Sequence, residues 1–259
     1  MATPIAVRVL EGHLREYRHT WRGTTISSIA TPVLFLAAMG LGLGALVDGG
    51  RGVDPAGDIS YLVWLAPGLL AVSAMQAGAG DGAFPVMAGL QWLRTYHAVV
   101  ATPVRPVDLL IGNLIWATIR LTVVGAVFVG VAVVFGAMAL GSGLAALAPA
   151  VLTGIATCAV VSAFMATRKS DLAMSGLFRF VIVPLFLFSG AFFPLSELPA
   201  MVEPVARINP VWHGVELTRG VALDVPTALH WAIHAGVLSG VLVVGVVLGA
   251  VAFARVLRA

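Results

Sequence analysis

Charge is scarce in this chain. Its 259 residues carry 15 basic and 12 acidic side chains, 10% of the total, while 59% are apolar. Soluble domains carry about 25% charge, so there is too little polar surface here to cover a water-facing fold. Bilayer is the solvent that matches. Lysine occurs once, at Lys169, and cysteine once, at Cys158. A lone cysteine excludes an internal disulfide. The seven residues before Lys169, Ser162–Arg168, contain no glycine, so no phosphate-cradling loop ends there and no nucleotide site is expected on this chain. The arginines are scattered between long apolar blocks and form no patch, so the basic balance does not point to nucleic acid. Residues 1–25 have no apolar core of the kind a signal peptide needs.

What the chain does have is six apolar blocks, near 26–47, 60–80, 108–136, 143–167, 173–195 and 229–254. Each is long enough to cross a bilayer as a helix. The expected fold is all-α, a polytopic membrane protein with six transmembrane helices, forming one domain over residues 1–259. Basic residues set the orientation. With both termini cytoplasmic, the inner segments hold Arg8, Arg15, Arg18, Arg22, Arg94, Arg105, Arg168, Lys169, Arg255 and Arg258, and the outer ones Arg51, Arg207 and Arg219. That asymmetry predicts a multi-pass protein of the cell membrane with its termini inside.

Residues 1–25 place Val7, Leu10, Leu14, Tyr17 and Trp21 at helical spacing beside Arg8, Arg15, Arg18 and Arg22. This predicts an interfacial amphipathic helix on lipid headgroups; the alternative is a basic tail. In the cytoplasmic region 81–107, Ala88 to Val100 reads as a short helix with Gln91, Arg94, Thr95 and His97 as its polar groups and Tyr96 among its apolar ones. Pro103 and Pro106 end it. Such a helix suits a groove on another protein, or else lies on the membrane.

The run Leu93–Ala117, with Ala101–Val104 followed by Asp108, Leu109, Leu110, Gly112 and Trp116, resembles the permeases of type-2 ABC exporters. So does Phe188–Arg219, with Ser189, Gly190, Ala191, Phe192, Phe193, Pro194, Leu195, Leu198 and Pro199, then Asn209, Pro210, His213, Glu216 and Arg219. In pattern the chain is similar to the drug-efflux and nodulation-factor export permeases. The resemblance implies a coupling helix between spans two and three, with Gln91, Arg94, Thr95, Tyr96 and His97 as candidates for contact with an ABC ATPase subunit. It implies two permease chains, identical or related, and two ATPase chains that hold the ATP and magnesium. It also implies a re-entrant extracellular segment over 192–226, with Phe192, Phe193 and Pro194 at an extracellular gate.

Other residues stand out by position. Arg120 falls in the middle of the third block. An intramembrane arginine faces a substrate path, or a structural partner. Arg179, near the start of span five, is placed to snorkel to the inner headgroups. Phe186 and Phe188 crowd the outer half of span five with Phe192 and Phe193, which makes Phe188 a further gate candidate. The acidic residues all read as lying at span ends or between spans, which disfavours a gradient-driven carrier. His230 and His234 have a spacing that can bind zinc, but no HExxH glutamate accompanies them, and interfacial histidines beside Trp231 are expected rather than a metal. Gly40-xxx-Gly44, Gly236-xxx-Gly240 and Gly245-xxx-Gly249 read as helix-packing faces. The expected cargo is hydrophobic or amphipathic: a drug, a lipid or a lipid-linked sugar.

Overall fold

A computed structural model describes residues 33–38, 59–199, 201 and 203–258. The expected interfacial helix at 1–25, Gly40-xxx-Gly44 and the first block apart from residues 33–38 lie outside these residues. Residues 33–38 are helical.

The described chain is helical, with no strand. Helix α1 spans Tyr61–Met87 and continues through a wide π-turn at Ala88–Trp92. The short α2 covers Thr95–Val100, α3 Pro106–Val134 and α4 Leu140–Ala166. Next come α5 at Asp171–Leu177, a π-turn at Phe178–Ile182 and α6 at Val183–Leu187. A 3-10 turn at Leu195–Glu197 leads to α7 at Glu203–Ile208, α8 at Pro210–Leu223 and the last helix, α9, at Trp231–Arg258.

Among the described residues, four stretches are long and apolar enough to cross a membrane: Tyr61–Trp92, Pro106–Val134, Leu140–Ala166 and Trp231–Arg258. Their starts follow local chemistry. Pro106 opens α3, where its missing N–H costs nothing, and the Asp108 carboxylate accepts from the Arg105 backbone N–H at 3.0 Å. Ser170 caps α5 by accepting from the Leu172 N–H. Asn209 caps α8 through the Val211 N–H.

The fifth block differs from expectation. Its helix runs from Asp171 to Leu187, 17 residues interrupted by a π-turn. At about 1.5 Å per residue that is roughly 25 Å, short of the ~30 Å hydrocarbon core. It stops because the Ser189 hydroxyl turns back to donate to the Phe186 carbonyl at 2.7 Å, and Gly190 takes φ +73°. Only glycine adopts that backbone without strain. A Cβ at Gly190 would also press on Leu195 and Trp212.

Helix α1 is the hub: 72% of its most apolar window is buried, against 28% for α9. It packs on α4, α3 and α8, and α4 in turn packs on α9. Lipid gives helices no hydrophobic reason to associate, so close packing of small residues must do it. A Cβ on Gly78 would overlap the Gly154 carbonyl, and one on Gly154 would lie 2.6 Å from the Ala74 carbonyl. The α1–α4 backbones therefore touch at Gly78 and Gly154. Gly245 and Gly249 pack on α4 and on Leu110 of α3, whereas Gly236 and Gly240 meet nothing within 4 Å among the described residues. The first of these pairs is a packing face within the described bundle. The outward sides of α3 and α9 carry Val123, Val243, Val247 and Val251, all more than half exposed, a surface suited to lipid.

Candidate functional site

Three places gather functional side chains: one at each end of the bundle and one inside it. The first is the end where α1 finishes. The sequence pattern predicts one helix over Ala88–Val100. Instead the π-turn carries α1 to Trp92, the chain breaks at Arg94, and α2 follows. Arg94 takes φ +55°, the left-handed region, which costs a non-glycine residue about 1–2 kcal/mol. Among the candidates for ATPase contact, Arg94, Thr95 and His97 are exposed, Gln91 is half-buried and Tyr96 is buried. Tyr96 points inward: its ring covers Gly89 and faces Phe253 of α9, and its hydroxyl accepts from Asn113 Nδ2 at 2.7 Å. It holds α2 against the bundle and is not free to meet a partner.

The same end carries a link that sequence reasoning missed. Trp92 Nε1 donates to Asp171 Oδ1 at 2.9 Å, and Gln91 Nε2 donates to the Arg168 carbonyl at 3.4 Å. The break after α1 is thus joined to the start of α5. Trp92 and Leu93 remain 48% and 70% exposed. Around them Arg94, Arg105, Arg168, Lys169, Arg255 and Arg258 form no ion pair among the described residues.

At the opposite end, Arg219 of α8 is the organising residue. Its Nη2 donates to the Gly190 carbonyl at 3.1 Å, its Nη1 to Glu216 at 3.3 Å and its Nε to the Trp64 carbonyl at 3.4 Å. The guanidinium lies 3.9 Å from the centre of the Trp64 ring. Burial pulls its pKa down to about 10 while Glu216 opposes the shift, so it stays charged at neutral pH. One side chain thereby ties α8, the start of α1 and the turn that ends span five. Asn209 adds a second tie, donating from Nδ2 to the carbonyls of Leu185 and Phe188. The gate candidates surround this point. Tyr61 donates to the Phe192 carbonyl at 3.1 Å, and the Phe192 ring meets Phe186 edge-on at 5.1 Å and Phe35 at 6.0 Å. Phe188 is 40% exposed; Phe193 and Pro194 are half-buried. A cavity of about 400 Å³ opens here, with Trp64, Pro194, Trp212, Glu216 and Arg219 in its wall.

The histidines pair differently from their spacing. His234 Nδ1 lies 2.8 Å from His213 Nδ1 across α8 and α9, whereas His230 Nδ1 accepts from the Ala232 N–H of its own helix end. Burial, then the neighbouring His234, pushes His213 below its usual pKa.

Inside the bundle, Arg120 of α3 is paired with Asp81 of α1; Nε donates to Oδ2 at 3.0 Å and Nη2 contacts Oδ1. Asp81 therefore lies within a membrane-length helix, not at a span end as the sequence suggests. The run of small residues Gly78–Gly82 around it continues the helix, and that run was the missed signal. Of the two readings of Arg120, the structure supplies the partner. Arg179 is exposed within the second π-turn.

This helical arrangement can be compared with known proteins. Residues 9–223 match the model of the ABC-2 type transporter family. The chain is 32% identical over 222 residues to nodulation protein J of Rhizobium meliloti, covering 84% of this chain and 82% of that protein. To nodulation protein J of Sinorhizobium fredii it is 33% identical over 220 residues, covering 81% and 80%. The version from Rhizobium leguminosarum bv. trifolii is 31% identical over 210 residues, covering 80% and 78%. A match that takes in α1 to α8, with relatives aligned over most of both chains, makes this multi-pass membrane protein a member of the ABC-2 type transporter family.

Proposed function

We propose that this chain is the membrane subunit of an ATP-driven exporter, powered by a separate ABC ATPase subunit that holds the ATP and magnesium. Two such permease chains, identical or related, work with two ATPase chains in the cell membrane. The cargo is hydrophobic or amphipathic, a drug, a lipid or a lipid-linked sugar, and moves outward by alternating access. Multidrug resistance and lipid transport are the physiological settings that such cargo implies.

The topology in this reading has six spans. Residues 1–25 lie on the inner surface, 81–107 hold the coupling region, and 192–226 form the re-entrant extracellular segment. The Trp92 end faces the cytoplasm. Its support is the cluster of basic side chains there, the side the positive-inside rule assigns to the cytoplasm; among the described residues these form no ion pair, while Arg207 and Arg219 at the other end are each paired with a glutamate. Phe188, Phe192, Phe193 and Pro194 form the gate beside Arg219.

The observation that carries the reading is the exposed stretch Trp92–Thr95 with His97, tied to the start of α5. A partner that grips Arg94, Thr95 and His97 moves α1 and α5 together. Free energy reaches the path because the segment binds the ATPase states differently. A gradient-driven carrier is the competing reading. Asp81, the carboxylate inside a span that such a carrier would use, is held in an ion pair with Arg120.

The test uses the complex purified with its ATPase. Replacing Arg94, Thr95 and His97 together by alanine leaves hydrolysis in place and abolishes export. Tyr96 is kept, because its loss would disturb the bundle. Export from vesicles that hold the isolated chain, without any ATPase, would overturn the proposal.

A further inference from the structure

The cavity at the Arg219 end is walled by the start of α1, the turn after span five, α7, α8 and the stretch before α9. At about 400 Å³ it is the size of the smaller pockets that hold organic ligands. Two of its lining residues are tryptophans, Trp64 at 6% and Trp212 at 3% exposure. A buried indole N–H usually finds a hydrogen-bond partner. Neither of these has one among the described residues, and neither nitrogen is sealed away as Ser162 Oγ and His234 Nε2 are. The pyrrole edge of Trp212 lies against Gly190, which is itself in the wall. Two unused donors thus border one space.

Charge in the wall cancels locally. Arg207 donates from Nε and Nη2 to a single oxygen of Glu203, Oε1, and Arg219 is paired with Glu216. Both Glu216 oxygens are taken, Oε1 by Arg219 and Oε2 by the Ala228 N–H at 3.0 Å. Glu203 keeps Oε2 without a partner among the described residues, so the wall also holds an open acceptor. A phosphate or sulfate would find no unpaired cation here, and an ammonium no unpaired carboxylate. Leu195, Leu223 and Val225 add apolar wall. Donors, an acceptor, apolar surface and no net charge suit a neutral group whose oxygens both give and take hydrogen bonds. Hydroxyls do both.

We propose that this cavity binds one neutral, hydroxyl-rich headgroup, a sugar residue or another polyol, with Trp64 and Trp212 donating to its oxygens and Glu203 Oε2 accepting from a hydroxyl. Binding rests on the cavity alone. Two sources offer that chemistry. One is the cargo on its way out, which rests on the exporter reading. The other is a glycolipid resident in the outer leaflet.

Saturation-transfer NMR tests the site on the complex purified with its ATPase, in nanodiscs of phosphatidylcholine and phosphatidylglycerol that hold no glycolipid. The probes are methyl β-glucoside, choline and methyl phosphate, each corrected for empty nanodiscs. Methyl β-glucoside receives saturation and the two charged probes receive none. Trp212→Phe keeps a ring and removes the N–H; it lowers the glucoside signal about three- to tenfold, the worth of one hydrogen bond. Because Trp212 is buried, a second variant is placed at the wall's exposed Ala228. Ala228→Trp fills the space from its mouth and abolishes the signal. Equal transfer to choline or methyl phosphate would overturn the proposal. So would an unchanged glucoside signal in Ala228→Trp, or in a folded Trp212→Phe. Ala228→Trp also separates the two sources. Export falls while hydrolysis continues if the ligand is the cargo; export persists and a co-purifying glycolipid is lost if it is a resident lipid. Glucoside binding in a complex that exports nothing with ATP would count against the exporter reading alone. ATP-driven export without glucoside binding would overturn this site alone.

Discussion

Trp92 and Asp171 are 79 residues apart in sequence, yet the indole N–H of one donates to the carboxylate of the other at 2.9 Å. The bond joins the end of α1 to the start of α5, so the two helices share whatever push arrives at the segment between them. Trp92→Phe and Asp171→Asn are each expected to lower export about three- to tenfold while ATP hydrolysis continues. The double variant is expected to be no worse than either single one, since both remove the same contact. Additive losses, measured as transport per ATP hydrolysed, would show that the pair is not the link.

Arg219 meets three partners in three directions, which suits a planar fork and not an ammonium. Arg219→Met strands Glu216 and two carbonyls, and is expected to cost about 3–5 kcal/mol, as when a buried pair loses one member. Arg219→Lys recovers little of this. Thermal unfolding of the purified protein, followed by tryptophan fluorescence, reads both variants. A lysine variant as stable as the parent would show that charge alone is needed.

His213 is held below its usual value of 6.5 by burial and by His234. The folded state therefore binds a proton less tightly than the opened state. The α8–α9 contact is fully favourable above about pH 6.5 and is lost progressively as the pH falls below it. Protonation also sets two Nδ1–H groups face to face. Thermal stability is expected to drop between pH 6.5 and 5, and His213→Gln to flatten that slope. An unchanged slope in the variant would place the pH sensitivity elsewhere.

Gly78 and Gly154 bring two backbones into contact. Gly78→Ala is expected to push α1 off α4 and to cost about 1–3 kcal/mol as an overpacked site. Gly236→Ala, with open space around it, is expected to leave stability unchanged or slightly raised, since alanine is the better helix former. Folded yield and melting temperature of the two variants make the comparison.

Much of the fold was legible from composition. The blocks at 108–136 and 143–167 reappear as Pro106–Val134 and Leu140–Ala166, because length and hydropathy are local properties of the chain. The apolar block at 60–80 stops just before Asp81, whereas the helix continues past it, where Arg120 supplies the carboxylate's partner. The fifth block was read long, because its apolar run does not end where its helix does. Gly190 and the Ser189 hydroxyl end it, and both are small signals within an apolar stretch.

The site was legible in outline only. The two motif regions mark the ends of the bundle where Tyr96 and Arg219 do their work. Their roles were not visible: Tyr96, grouped with the contact residues, is a buried anchor, and His234 takes His213 as its partner instead of His230.

By itself the sequence determined that this chain lives in lipid, how many long apolar stretches it has and where its positive charge lies. Each of these follows from transfer free energies summed along the chain. The tertiary structure alone decided which polar groups are satisfied by one another and which are left without a partner among the described residues, as the Trp64 and Trp212 indoles are. That distinction depends on distances between residues far apart in sequence, and hydrogen bonds and ion pairs form only at contact.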